Sequence, residues 1–157
     1  MEKLINLNYF ALDKKSCLQD MVSLFAENGI TSSEKDFLEK VYEREDMMST
    51  GIGRHIAIPH ARCSKVDQLA IAFFRLTNNL DFDSIDDEPV KLIFMIAIPE
   101  SMNQDYMKIL KAISNFCHDS DNLDRLYSVQ DITEANQLLS KIVENFLADT
   151  KSSGGNR

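Results

Sequence analysis

The sequence of 157 residues predicts an α/β fold, a single layered domain in which helices flank one mixed β-sheet. Helical patterns lie both before and after a cluster of strand-like segments, which favours helices packed on a shared sheet. The segment 90–98, VKLIFMIAI, is apolar at odd and even positions alike, as is typical of a central strand covered on both faces. We expect this domain to span residues 1–149. Residues 150–157 contain no apolar anchor and are expected to form a disordered tail.

The helices are predicted from residues that can cap their ends. Ser16 with Gln19 forms a capping-box pattern at the start of the first helix, and Gly29 suits the position just after its end. Ser33 is expected to cap the second helix. The predicted helices cover residues 16–28, 33–47 and 101–118, a short stretch at 123–127, and a last long helix capped by Asp131. Apolar runs predict strands at residues 55–58, 69–76 and 90–98.

Composition and charge narrow the possible partners. With 17 Lys and Arg against 25 Asp and Glu, the formal net charge of -8 argues against nucleic acid, because a phosphate backbone attracts a basic face. No apolar run is long enough to span a bilayer, and the N-terminus contains no signal-peptide core, so we expect no direct membrane insertion. Three cysteines, an odd number without paired spacing, suit a reducing compartment. The sequence therefore predicts a cytoplasmic protein.

Residues 44–62, REDMMSTGIGRHIAIPHAR, contain the candidate functional site. The apolar strand predicted at residues 55–58 is expected to stop at Pro59, because the fixed φ and missing N–H of proline do not continue a β-ladder. His60 is therefore expected to lie just beyond the end of this strand. Hydroxyl donors and bare glycine backbone, which suit a bound anion, come before the strand: Ser49, Thr50, Gly51 and Gly53. Guanidinium groups that suit phosphate oxygens come from Arg44, Arg54 and Arg62. A fixed imidazole among anion donors suggests a histidine that carries a phosphoryl group.

This stretch resembles the phosphorylation-site signature of the type-2 enzyme IIA domains of the bacterial sugar phosphotransferase system. That family includes the mannitol and fructose IIA domains and the nitrogen-regulatory IIA proteins. Its pattern has Arg-Glu, then Ser-Thr-Gly-Ile-Gly, then Ile-Ala-Ile-Pro-His, and the sequence matches it at residues 44–45, 49–53 and 56–60. A second block, residues 80–100, resembles the family's Asp-x-x-Pro-Val strand segment. Together with the terminal helices, the resemblance covers nearly the whole chain.

The resemblance implies a phosphotransferase component that carries a phosphoryl group on His60. It would accept the group from a phosphohistidine of the small carrier protein HPr and pass it to a IIB domain, usually at a cysteine. The family uses the Nε2 atom, so Nδ1 would have to be held by another group. Arg44 and the donors at 49–53 would face the phosphoryl oxygens, and no metal or organic cofactor is implied. The alternative within the same family is a stand-alone nitrogen-regulatory protein, whose binding to target proteins depends on its phosphorylation state.

Two positions depart from the family pattern. The family's third helix opens with a histidine that bonds the phosphoryl group, and the corresponding residue here is Tyr106, which donates one hydrogen bond but does not become a cation near neutral pH. We expect Tyr106 to lie near His60 and to affect the stability or onward transfer of the group rather than its capture. His55 replaces a glycine that is usual in the family, and it would crowd the phosphate loop. These two positions leave open a degenerate domain that is never phosphorylated.

Each candidate residue also has a purely structural interpretation. Considered alone, His60 fits a hydrogen-bonded loop histidine, and Arg44 fits a cation that complements the end of a helix dipole. Glu45 could either brace Arg44 or face solvent. Arg54 and Arg62 could be ordinary solvated charges.

Metal binding is a further alternative. His60, Cys63, Cys117 and His118 are four possible zinc ligands, but neither pair has a Cys-x-x-Cys scaffold, and nothing in the sequence brings the two segments together. We therefore predict no metal site. His118 is better explained as a cation at the end of the third helix.

Overall fold

The computed structural model describes residues 2–154, with side chains described for residues 2–148. Contacts divide the chain into two compact units, one of residues 3–102 and one from residue 103 onward. The helices are α1 (Lys14–Glu27), α2 (Glu34–Met47), α3 (Tyr106–His118), α4 (Ser120–Ser128) and α5 (Ile132–Gly154). The strands are β1 (Ile5–Tyr9), β2 (Gly51–Gly53), β3 (Ile56–Ala57), β4 (His60–Cys63), β5 (Ala70–Leu80) and β6 (Val90–Pro99). A single domain over 1–149 stays a prediction.

The strands of the first unit form one mixed sheet, as the sequence predicts. Within the described residues the order is β1-β5-β6-β3-β2, and β4 also pairs with β6. Strand β6 pairs antiparallel with β5 and parallel with β3 and β4. The predicted central strand is β6, and its residues are buried at odd and even positions. The predicted α/β class with a mixed sheet is therefore confirmed.

Strand β3 ends at Ala57, so the predicted strand stops before Pro59 and His60 lies beyond it, but a separate strand that was not predicted, β4, begins at His60. The pairing with β6 is interrupted only at Ile58 and Pro59. Strand β3 pairs Ala57 with Ile93, and β4 pairs His60 with Ile96, so the register along β6 is the same on both sides of the interruption. Pro59 has no N–H to donate, but its carbonyl accepts a hydrogen bond from the Ile96 N–H at 3.0 Å. The ladder resumes at once, and His60 is the first residue of β4.

Helices α1 and α2 pack on one face of this sheet. Helix α2 lies against β4, where the strands present small side chains such as Ala57 and Ala61 to the buried cluster. The helices supply larger groups, including Phe25 and Phe37, whose ring centroids are 5.9 Å apart. Small residues on a strand allow a helix to approach closely. The packing of α2 on β4 brings α2 alongside the strand that begins at His60.

The helices α1 and α2 have caps of the predicted kinds, but the cap of α1 is Asp13 and not the predicted Ser16. The cap of α1 is Asp13, whose carboxylate accepts the Ser16 N–H at 2.8 Å. Both residues can cap a helix, but the carboxylate also complements the positive end of the helix dipole, which favours Asp13 over Ser16. Ser33 caps α2 by accepting the Asp36 N–H, as predicted. Gly29 follows α1 with φ of +73°, a conformation that favours glycine.

The second unit consists of helices, with α3 packed against α4 and α5. Helix α3 begins at Tyr106 and not at Ser101, because residues 101–105 form turns. It ends at His118, as predicted. Helix α5 follows Asp131, whose carboxylate accepts the Thr133 N–H at 2.9 Å. Within the described part of the chain, no helix combines the length and apolarity that a bilayer-spanning segment needs.

Helix α5 extends further than the sequence predicts. Its backbone is helical to Gly154, so residues 150–154 continue the helix where a disordered tail is expected. The reason is local, because no proline and no glycine interrupts the helix before Gly154. Residues 155–157, which belong to the same predicted tail, lie outside the described residues.

Candidate functional site

The imidazole of His60 is held by a hydrogen bond to the backbone two residues earlier. Its Nδ1 lies 2.9 Å from the carbonyl oxygen of Ile58. A carbonyl oxygen only accepts, so Nδ1 carries the proton, and the lone pair of the neutral ring belongs to Nε2. Only 9% of the residue is exposed. This arrangement determines which ring nitrogen can act as a nucleophile.

The surroundings of His60 keep its ring neutral. Burial, the largest influence, lowers the pKa of His60 below its ordinary value, because a desolvated imidazolium is costly. The positive charge of Arg44 lowers the pKa further, whereas the Ile58 carbonyl and the negative charge of Glu45 raise it. The net effect is a lowered pKa. At neutral pH the ring is therefore uncharged, which a nucleophilic nitrogen requires.

Arg44 lies in the last turn of α2, and its contacts are compatible with both interpretations from the sequence, a cation at the end of a helix and a group that faces a phosphoryl oxygen. Its Nη1 donates to the Met48 carbonyl at 2.7 Å, so the side chain caps the end of its own helix. Its charge also acts on His60, as the lowered pKa of that residue reflects. A guanidinium has five N–H donors, so the bond to Met48 leaves donors for a phosphoryl oxygen.

Glu45 is buried, and neither predicted role describes it. Only 4% of its side chain is exposed, and its carboxylate forms an ion pair with Lys14, at 3.0 Å from Nζ to Oε2. Oε2 also accepts the Thr50 N–H at 3.2 Å, and Oε1 accepts the Thr50 hydroxyl. A buried carboxylate needs such partners, because desolvation is costly for an uncompensated charge. Glu45 therefore neither faces solvent nor braces Arg44, and it anchors the segment that follows α2.

Sequence reasoning missed Lys14. Its partner Glu45 is distant in the chain, so no local spacing reveals the pair. A lysine in the first turn of a helix opposes the helix dipole and calls for a compensating partner, but this signal requires the helix to begin before Ser16, the residue at which it is predicted to begin. Lys14 is the first residue of α1.

The hydroxyl and amide donors predicted to bind phosphate are engaged within the protein. Ser49 Oγ donates to the Phe82 carbonyl at 2.6 Å and accepts the Gly51 N–H at 3.1 Å. Thr50 directs both its N–H and its hydroxyl to Glu45. These groups would have to exchange partners to bind an anion. In this structure they fix the segment between α2 and β2.

The bare backbone of Gly51 and Gly53 packs against an acidic loop, residues 81–88. A Cβ at Gly51 would lie 2.9 Å from Ser84 Cα, and one at Gly53 would lie 3.2 Å from Asp86 Oδ2. Gly53 also has φ of +94°, which favours glycine. A carboxylate beside Gly53 disfavours a phosphate there. The structure therefore explains both glycines by close packing, and a phosphate-binding role for them stays a prediction.

Strands β2 and β3 form a hairpin whose tip is remote from His60. Arg54 and His55 form the turn, with φ of +59° and +67°. Each extended residue advances about 3.3 Å, so the tip lies on the order of 15 Å from His60 along the strand. His55 Nδ1 donates to the Pro89 carbonyl at 2.8 Å, and the Arg54 N–H donates to Asp86 Oδ2 at 3.2 Å. Both residues therefore hold the hairpin to the loop that precedes β6.

The remaining candidates lie on other elements. Arg62 is exposed on β4 and donates to the Glu100 carbonyl at 3.4 Å. Tyr106 is a half-buried residue of the second unit, and its placement beside His60 stays a prediction. Cys63 is buried and has a free thiol. Among residues 2–148, no group of three or more His, Cys, Asp or Glu side chains could hold a metal ion.

Comparisons with known proteins agree on one family. The family model described as "Phosphoenolpyruvate-dependent sugar phosphotransferase system, EIIA 2" matches residues 1–142. A fructose-specific EIIA component of the phosphotransferase system from Haloferax volcanii is 31% identical over 142 residues, which cover 90% of this chain and 92% of that protein. A nitrogen regulatory protein from Bradyrhizobium diazoefficiens is 33% identical over 119 residues, which cover 75% of this chain and 76% of that protein.

Solved structures share the fold. The nitrogen regulatory protein IIA-Ntr from Neisseria meningitidis has a TM-score of 0.83 at 28% identity, covering 88% of this chain and 94% of that chain. The mannitol enzyme IIA from Escherichia coli, solved in complex with phosphorylated enzyme IIB, has a TM-score of 0.75 at 20% identity, covering 88% and 95%. The second likeness concerns the fold alone.

Proposed function

Because the chain belongs to the EIIA type 2 family of the phosphoenolpyruvate-dependent sugar phosphotransferase system, we propose that it is a phosphocarrier whose His60 accepts a phosphoryl group from phospho-HPr and passes it to a IIB domain. The observation that carries this proposal is the bond from His60 Nδ1 to the Ile58 carbonyl at 2.9 Å. With the proton on Nδ1, the nucleophilic lone pair belongs to Nε2. The lowered pKa of His60 keeps that lone pair available at neutral pH.

The reaction asks the protein mainly for alignment and charge. The Nε2 lone pair of His60 attacks phosphorus in line with the P–N bond of the donor, and the electron pair of that bond leaves with the donor imidazole. No proton has to leave Nε2, because the ring proton is already on Nδ1. The phosphorylated ring gains positive charge, which the Ile58 carbonyl and Glu45 stabilise. Arg44 neutralises charge on the phosphoryl oxygens.

Two onward routes are compatible with the family. Transfer to a IIB domain is supported by the fructose-specific relative and by the solved assembly of a related enzyme IIA with enzyme IIB. The second candidate is a regulatory protein whose binding to targets depends on phosphorylation. It is supported by the nitrogen regulatory relative and by the fold shared with IIA-Ntr at a TM-score of 0.83.

Labelling with radioactive phosphoenolpyruvate, enzyme I and HPr tests the proposal. The wild type should carry one label that is labile in acid and stable in alkali, as a phosphoramidate is. His60→Gln should carry none, whereas His55→Gln and His118→Gln, at the other two histidines of the chain, should be labelled normally. Full labelling of His60→Gln, or a label that resists acid, would overturn the assignment.

A chase separates the two onward routes. Addition of purified IIB domains from the same genome should remove the label if the protein carries phosphoryl groups for sugar transport. A label that no IIB domain removes, combined with target binding that differs between phosphorylated and unphosphorylated protein, would instead establish the regulatory role.

A further inference from the structure

A continuous chain of polar contacts joins the start of α1 to the imidazole of His60. Lys14 Nζ pairs with Glu45 Oε2 at 3.0 Å, and the N–H and hydroxyl of Thr50 donate to the same carboxylate. The Thr50 carbonyl accepts the Ile58 N–H at 3.0 Å. The Ile58 carbonyl then accepts from His60 Nδ1 at 2.9 Å. Every link lies in the first unit of the chain.

The cation at the far end of this chain is held firmly. Lys14 Nζ donates to the Phe82 carbonyl at 3.1 Å and lies 4.4 Å from the centroid of the Phe82 ring. The side chain of Lys14 is 22% exposed, while that of Glu45 is 4% exposed. Lys14 therefore contributes the compensating charge from a defined position at the edge of the buried network.

Removal of the lysine charge would change the whole chain of contacts. A buried carboxylate that loses its cation moves or draws in water, because an uncompensated charge is costly in a desolvated site. This rearrangement weakens the hydrogen bonds that Thr50 donates to it. The Thr50 backbone also positions Ile58, so a looser Thr50 gives a looser Ile58 carbonyl. That carbonyl is the group that holds the proton of His60 on Nδ1.

We propose that Lys14 is a positioning residue for phosphoryl transfer: its pairing with Glu45 holds Thr50, and through Ile58 it keeps the His60 proton on Nδ1. The effect on the transfer rate rests on the proposed function. The effect on the ring proton does not, because it can be measured in the unphosphorylated protein.

The first measurement is nitrogen NMR of the histidine ring in the full-length, unphosphorylated chain. In the wild type, His60 should show a protonated Nδ1 and an unprotonated Nε2 at neutral pH. Lys14→Met should give a mixture of the two tautomers, and Lys14→Arg should restore the wild-type pattern. Lys15→Met removes the same charge at the neighbouring, exposed position and should leave the pattern unchanged. An unaltered tautomer in Lys14→Met overturns the inference.

The second measurement is the rate of phosphoryl transfer from HPr at varied HPr concentration. Lys14→Met should lower kcat by about two- to tenfold, as expected for one weakened hydrogen bond, with little change in KM. If Lys14→Met only destabilised the protein, the fraction of active protein would fall without a change of the His60 tautomer. A change confined to KM would indicate that Lys14 acts in binding HPr instead. If wild-type His60 is not phosphorylated at all, the proposed function fails while the NMR result still decides the role of Lys14.

A second variant keeps the inference testable if Lys14→Met fails to fold. Thr50→Val removes the hydroxyl donor to Glu45 while keeping a side chain of similar shape and the backbone N–H. It should shift the His60 tautomer in the same direction as Lys14→Met. A wild-type tautomer in folded Thr50→Val would contradict the proposed chain of contacts.

Discussion

Glu45→Ala should destabilise the protein far more than its position near the end of a helix suggests. The substitution leaves the N–H and hydroxyl of Thr50 buried without their acceptor, at about 1–3 kcal/mol each. Lys14 loses its ion pair but keeps the Phe82 carbonyl and partial access to water, so its contribution is small. The free energy of unfolding should therefore fall by about 2–6 kcal/mol. Glu45→Gln keeps an acceptor oxygen and the side-chain shape, and should cost about 1–2 kcal/mol.

Urea unfolding followed by circular dichroism measures these losses, with the m-value as a check that the unfolding transition is otherwise unchanged. Glu43→Ala is the matched control on the same helix. Its ion pair with Lys40, at 3.6 Å, joins side chains that are 68% and 55% exposed, so the variant should change stability by about 0.5 kcal/mol or less. A loss below about 1 kcal/mol in Glu45→Ala, or an equal loss in Glu43→Ala, would refute the buried network as the anchor of this segment.

Substitutions at three other candidate residues give further predictions. Arg44→Ala should slow transfer from HPr by about ten- to a thousandfold while changing stability by about 1 kcal/mol at most. Because the Arg44 charge lowers the pKa of His60, removal of that charge raises the pKa. The acid limb of the rate–pH profile should therefore move to higher pH. An unmoved acid limb would show that the two charges do not interact. Gly51→Ala should cost about 1–3 kcal/mol in thermal unfolding, because the new Cβ would lie 2.9 Å from Ser84 Cα, and Ser84→Gly should recover part of the loss; equal losses in both backgrounds would contradict the packing account. Tyr106→His should change the lifetime of the phosphohistidine more than its rate of formation, and identical decay of the label would place Tyr106 away from the site.

The mixed sheet and most helices could be predicted because capping residues and apolar runs are local features of the sequence. Strand β1 could not be predicted in this way. Strand β1 has only five residues, INLNY, and its asparagines have low strand propensity. It gains its structure by pairing parallel with β5, with Ile5 opposite Phe73. Such a pairing between distant segments has no turn or spacing signal in the sequence. Strand β4 could not be predicted for a related reason. The missing N–H of Pro59 is local information and correctly predicts the end of β3, whereas the hydrogen bond from the Ile96 N–H to the Pro59 carbonyl, which continues the pairing, is not local.

The sequence proposed His60 and Arg44 as site residues, and the structure shows that the Arg44 charge acts on His60, while their functional roles stay predictions. The partners of the surrounding donors could not be predicted. Residues 49–51 fit an anion-binding loop, yet in the structure they contact other parts of the protein: Ser49 contacts Phe82, Thr50 contacts Glu45 and Gly51 packs against Ser84. The same residue types serve both purposes, because hydroxyls, amides and bare backbone suit an anion and suit tight internal packing equally. Only the position of the 81–88 loop beside the hairpin distinguishes the two.

Combined phosphorus and nitrogen NMR of the phosphorylated, ¹⁵N-labelled protein identifies the atom that carries the phosphoryl group. We expect one phosphorus resonance, coupled to Nε2 of His60, with Nδ1 still donating to the Ile58 carbonyl. Phosphorus bonded to Nδ1 of His60, or to any other residue, would contradict this expectation.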